Sequence, residues 1–179
     1  MLLACAGCSA PKKSEKAPPA EPANPIEKPE SQVINLGEGS GERFGGKQNR
    51  DRLWTVRWKS AVMQVYKEGG EFSGELSTVT GDIFRGNNIT STFSADRSTG
   101  DKNSEVLILE GHATVVSKQM KSTLTCDRIR YEAGKKLVKA LGNVRIVGPS
   151  GTVSGLEEVW TTPDLKVVST PDMFKNDAR

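Results

Sequence analysis

Asp96 and Asp127 are the residues that most invite a chemical reading, because each precedes an arginine and 31 positions separate them. Two carboxylates brought together could divide acid and base roles between a protonated and an ionised partner. Three cysteines (Cys5, Cys8 and Cys126) and a single histidine, His112, complete the reactive set. No carboxylate or thiol stands at metal-ligand spacing from His112, so no metal is expected. A Ser/His/Asp or Cys/His arrangement would have to use His112 itself. The chain contains neither a nucleophile elbow nor a Gly-rich phosphate loop. Cys126 occupies the place that Ala95 holds 31 positions earlier, which marks it as small and buried rather than reactive. The Asp-Arg pair recurs with the same period, so a structural role at a bend explains it better than catalysis. The expectation is a non-enzymatic chain without cofactor, in which His112 is exposed decoration.

The elements that carry these residues form a repeat. Thr92–Arg97 followed by Leu107–Val116 returns as Thr123–Arg128 followed by Val138–Val147, and Gly111 lies 31 positions before Gly142. A repeat of that length is one supersecondary unit stacked on itself. Within each unit Leu107, Leu109, Ala113 and Val115 share one parity, as do Val138, Ala140, Val144 and Ile146. Alternate strand residues face the same side, so both rows point inward. Phe93 and Ala95, matched by Leu124 and Cys126, join them. Beyond Asp127-Arg128 the apolar parity switches to Ile129 and Tyr131, as an inserted residue would cause. Gly111 and Gly142 inside good strands suit a bend. A looser copy at Thr152–Trp160, offset by 29, lacks Asp-Arg and suits a terminal cap. Upstream, Trp54, Val56, Trp58, Val62 and Tyr66 alternate along one long strand, and Phe72–Phe84 reads as another. No apolar stripe with helical period appears, so the class is all-β.

Composition divides the chain. Six of its nine prolines fall between Pro11 and Pro29, and the first aromatic residue is Phe44. Residues 9–52 therefore read as a disordered Pro/Gly-rich tether with a coil reach on the order of 35 Å. A folded domain follows at 53–174, then a short tail at 175–179. Residues 1–8 (Met1-Leu2-Leu3-Ala4-Cys5-Ala6-Gly7-Cys8) have the form of a lipobox, with Cys5 or Cys8 as the lipidated residue, though without a basic region or a full apolar stretch before it. Nothing in the sequence approaches the roughly 20 apolar residues of a membrane span.

The segments Cys126-Asp127-Arg128-Ile129-Arg130-Tyr131 and Leu137 to Ile146, with Gly142-Asn143-Val144 inside the second, resemble the OstA-like repeat of the LptA/LptC periplasmic proteins of lipopolysaccharide export. Leu109–Val115 is a looser copy. The order of anchor, first strand and repeats is closer to LptC, although the lipobox departs from the transmembrane anchor usual there. The resemblance implies an open, twisted β-jellyroll folded like a taco, whose interior holds acyl chains while sugars and phosphates stay wet. Phe93, Leu107, Leu109, Val115, Leu124, Val138, Ala140, Val144 and Ile146 would line that groove. An ordinary filled core reads the same way in one dimension.

Further expectations follow from the same resemblance. Partners would be lipopolysaccharide or a related glycolipid, other jellyroll Lpt proteins and an inner-membrane ABC transporter. Docking would use edge strands, first among them Trp54–Tyr66 and Leu165–Thr170. Lys118, Lys121, Arg128, Arg130, Lys135, Lys136, Lys139 and Arg145 could meet lipid phosphates or form a solvated face. A net charge of only +3 gives no reason to expect nucleic acid. The protein would be periplasmic and held at a membrane by its lipid anchor. The competing reading is a non-catalytic interaction lipoprotein with no lipid ligand.

Overall fold

The computed structural model describes residues 31–45, 51–66, 72–101 and 105–173. They form eleven strands: β1 (Ser31–Leu36), β2 (Gly39–Phe44), β3 (Arg52–Trp58), β4 (Ser60–Tyr66), β5 (Phe72–Arg85), β6 (Asn88–Asp101), β7 (Val106–Ser117), β8 (Ser122–Glu132), β9 (Leu137–Gly148), β10 (Gly151–Thr161) and β11 (Val168–Ser169). From β4 to β11 each strand pairs antiparallel with the next, and the whole is one open sheet. The sheet forks at β5. The first half of β5 pairs with β4, which pairs with β1, while its second half pairs with β3, which pairs with β2.

A line of irregularities crosses the sheet at mid-strand. Register shifts fall between Ser94 and Arg97, Glu110 and Ala113, Thr125 and Arg128, and Ser154 and Leu156. Left-handed backbone marks the same line, at Thr78, Gly111, His112, Gly142, Asn143 and Gly155. These bulges align into a crease that divides each long strand in two. They also cause the parity switch visible in the sequence, because an extra residue turns the following side chains over. Folded along the crease, one half-sheet (β2, β3 and the adjoining halves of β5 to β10) faces the other (β1, β4, β11 and the remaining halves). Trp54 of the first half meets Tyr131 of the second edge-on, with ring centroids 6.0 Å apart. One apolar cluster fills the space between.

The repeat explains the crease in atoms. In the first copy Asp96 Oδ2 lies 2.7 Å from His112 Nδ1, and in the second Asn143 Nδ2 donates to Asp127 Oδ2 at 2.7 Å. Each aspartate packs on the glycine opposite. A Cβ on Gly111 or Gly142 would come within 2.5 Å of the Asp96 or Asp127 carboxylate, and their φ angles of +75° and +71° suit glycine. His112 is exposed, as expected, and its contact with Asp96 makes it the counterpart of Asn143.

Three sequence expectations are corrected. The strand expected over Trp54–Tyr66 breaks at Lys59, whose N–H donates to Ser77 O at 3.1 Å on the crease line. Parity flips there, so Ala61 is buried while Val62 is turned outward. The tether expected over 9–52 contains β1 and β2, because Val33, Ile34 and Leu36 supply apolar side chains and Gly39–Gly41 pair through backbone alone. Trp54–Tyr66 is therefore not an edge. The strand expected over Leu165–Thr170 shrinks to Val168–Ser169, since Leu165 sits buried in a turn at φ +58° with its N–H on Thr162 O. Cys5, Cys8, the first part of the tether, Phe174 and the tail lie outside the described residues.

Candidate functional site

The residues proposed from sequence as a groove come together in one place. Phe93, Leu107, Leu109, Val115, Leu124, Val138, Ala140 and Val144 are all buried in the central cluster, and Ile146 packs half-buried against it. Phe93, Val115, Leu124, Val144 and Ile146 come from one half-sheet, and Leu107, Leu109, Val138 and Ala140 from the other. Six of them, including Leu109 and Val144, have no exposed surface. The middle of the taco is filled by its own side chains. A charge at Leu109 would therefore be buried among apolar side chains.

The inward face is open at its two margins. At one, cross-strand register puts Ile34 beside Met63, and Leu36 beside buried Ala61. Paired residues share a face, so Ile34, Leu36, Met63 and Val65 continue the interior row outward. Ile34, Leu36 and Val65 are 37–39% exposed. Trp58, on the facing half, is fixed there by its Nε1–H bond to Gly37 O at 3.1 Å. At the other margin Val153 lies beside Ile146, which lies beside fully buried Leu124. Val153 is 54% exposed. The result is a continuous apolar surface, closed in the middle and reaching solvent at both ends. Sequence reasoning missed Ile34, Leu36, Met63 and Val65. Their signal was the Val33-Ile34-x-Leu36 run inside a segment read as tether.

Much of the expected cationic run is neutralised within the chain. Arg128 pairs with Glu110, while Arg130, Lys135 and Lys139 converge on Glu132 at 2.8–3.0 Å. Lys139 also lies 4.7 Å above the Trp160 ring. Cys126 is buried, its thiol pushed up to about 11 by burial, and it donates to Arg128 O. It is no nucleophile at neutral pH. The Asp96 partner raises the His112 pKa.

A family model described as lipopolysaccharide-assembly, LptC-related, matches residues 53–157, more than half of the chain. The chain belongs to this LptC-related family. No curated protein matches it. The match runs from β3 into β10, so it takes in the crease but leaves β1, β2 and β11 outside. Membership gives the chain a role in lipopolysaccharide transport, in a family of transport proteins rather than catalysts. Among the described residues no helix is long and apolar enough to cross a membrane.

The Glu132 cluster joins β8 to β9 and should make the stability of this chain depend on pH in the acid range. Hydrogen bonds from Lys135, then Lys139 and Arg130, hold the Glu132 carboxyl down at about 2, against an ordinary value of 4.5. A depressed folded pKa gives stability that is present above the unfolded value and lost as pH falls toward the folded one. Glu132→Gln should therefore lower the melting temperature at neutral pH. It should also flatten the dependence of melting temperature on pH between about 4.5 and about 2. Thermal melts across that window check both; an unchanged slope in the variant would show the cluster to be inert.

Proposed function

We propose that this chain takes up lipopolysaccharide by its acyl chains between the two half-sheets and passes it along a protein bridge toward the outer membrane. The observation that carries this reading is the inward apolar row that runs through the core and emerges at both margins. Each methylene moved from water onto such a surface contributes about 0.8 kcal/mol, enough to hold a lipid without fixed polar recognition. Among the described residues no strand pairing joins the two half-sheets opposite the crease. Side chains rather than strand pairing bring the lips together, so they can part where the crease cannot.

Hand-over requires neighbours, and the fold leaves edges for them. Among the described residues β1 pairs only with β4 and β2 only with β3, while β10 is covered by β11 only at Trp160 and Thr161. Such edges are templates for strand addition by another jellyroll protein or by an inner-membrane transporter. Lipidation at Cys5 or Cys8 would hold the domain on its tether at a periplasmic membrane surface. A second reading, an interaction scaffold without lipid, draws on the fully buried middle of the core.

Lipid carriage separates the two. Protein extracted in mild detergent from cells making lipopolysaccharide should carry glycolipid detectable by mass spectrometry. Ile34→Asp and Val65→Asp, both at exposed positions, should lose it while staying folded. Folded wild-type protein free of glycolipid would leave the scaffold reading.

A further inference from the structure

The two outer faces of the folded sheet differ in kind. On the half-sheet that begins with β2, cross-strand register lines up Thr80, Ser94, Thr114 and Thr125 in one outward row, between Arg57 and Arg145. Two residues along the strands, Thr55, Asp82, Thr92, Val116 and Thr123 make a second outward row. Thr55 gives its hydroxyl to Asp82, and Thr114 gives its own to His112 O. Among the described residues, the hydroxyls of Thr80, Thr92, Ser94, Thr123 and Thr125 have no partner within the chain. Threonine favours strands, but that preference acts on the whole sheet alike. Across the crease the same strands present Arg97, Glu110 and Arg128 in the corresponding outward row. Hydroxyls on one outer face and charges on the other need a cause beyond strand propensity.

Two shallow clefts of about 240 and 370 Å³ lie side by side on the hydroxyl face. The smaller crosses both rows from β3 to β7. The larger lies over β2, β3 and β5, where Phe84 and Ile89 add apolar surface. Arg57 and Asp82 line both. Asp82 Oδ2 accepts from Thr55 Oγ1 at 3.1 Å and from Arg57 Nη1 at 3.4 Å, which leaves Oδ1 and the other Arg57 nitrogens for a ligand. Arg57 is matched by Asp82 and Arg52 by Glu42, so the clefts carry no net charge. A charged partner meets no counter-charge there. An uncharged partner rich in hydroxyls meets groups that both donate and accept. Neighbouring strands lie about 4.8 Å apart, close to the length of one sugar unit in an extended polysaccharide. Each strand can therefore serve one sugar, while Val116 and Ile89 meet the apolar C–H edges of the rings.

We propose that this outer face binds an uncharged linear glycan, free of lipid, laid across the strands from β2 toward β8. Arg57 and Asp82 hold neighbouring hydroxyls of one sugar in the clefts, and the threonine rows hold the sugars that follow. The site is separate from lipid carriage, which uses the opposite side of the same strands.

The test is NMR titration of the full chain with cellohexaose and chitohexaose, compared with cellobiose and with the core oligosaccharide released from lipopolysaccharide. The hexaoses should shift the amides of Thr80, Ser94, Thr114 and Thr125. They should bind about tenfold or more tighter than cellobiose, because only the longer chain spans successive strands. Thr80→Val with Thr125→Val, at outward strand positions where valine keeps the fold, should weaken the hexaoses about tenfold. Thr99→Val, outward on the charged face, should leave them unchanged. No shifts with either hexaose at millimolar concentration would overturn the proposal. So would unchanged affinity in the folded Thr80→Val/Thr125→Val protein, or an equal loss in Thr99→Val. Core oligosaccharide binding tighter than the hexaoses would return this face to the glycolipid and overturn the free glycan. Glycolipid should still copurify with Thr80→Val/Thr125→Val; its loss would overturn the separation of the two sites. If the hexaoses fail while glycolipid is still carried, only this site is lost and the acyl-chain reading stands.

Discussion

Leu109→Asp is expected to unfold the protein, whereas Ile34→Asp is expected to leave it folded and remove only its lipid. Leu109 has no exposed surface and packs between the half-sheets, while Ile34 lies on the same inward row at an exposed margin. Truncating a buried leucine to alanine costs about 2–5 kcal/mol, and placing an unpaired carboxylate there costs more. A domain of this size has only about 5–15 kcal/mol in hand. Circular dichroism and thermal melts read the outcome. Loss of cooperative melting in Leu109→Asp supports a filled centre. A native spectrum with a melting temperature near the wild type would show instead that the middle is an open trough.

The second large effect is expected at the crease. Gly142→Val should destabilise the fold by about 2–3 kcal/mol, since a β-branched residue is forced into left-handed backbone. Its side chain also meets the Asp127 carboxylate, which a Cβ at this position would approach within 2.5 Å. Asp127→Ala loses the Asn143 hydrogen bond and should cost about 1 kcal/mol on its own. Combining them should cost less than the sum, because removing the carboxylate makes room for the valine. A double-mutant cycle in urea measures this coupling. Strict additivity would mean that aspartate and glycine do not contact across the bulge. Gly111 with Asp96 should repeat the pattern, with His112 in the place of Asn143.

The repeat was legible because its information is local and periodic. The parity of Leu107, Leu109, Val138 and Ala140 named the inward face, and the switch at Asp127-Arg128 named the bulge, since strand side chains alternate with a period of two. The break at Lys59 was hidden, because Lys59 and Ser60 are both polar and mask the flip from Trp58 to Ala61. β1 and β2 were hidden for another reason. Their pairing with β4 and β3 is a backbone matter, and a Pro-rich neighbourhood diluted the signal of Ile34 and Leu36. Burial was beyond a one-dimensional reading, because whether Leu109 meets lipid or Val144 depends on how closely two half-sheets approach. The hydroxyl rows could not be read at all, since Thr80, Ser94, Thr114 and Thr125 come from four separate strands and line up only after the sheet forms.

The central claim is that lipid lies on the inward row and not elsewhere. A photoreactive residue placed in cells at Ile34, Val65, Ile146 or Val153 faces the inward side, whereas one at Val33 or Arg145 faces out. All six positions are at least partly exposed, so the label need not disturb the core. The account predicts glycolipid adducts at the four inward positions and none at Val33 or Arg145. Adducts of equal yield on both faces, or none at the inward positions of a folded protein, would contradict it.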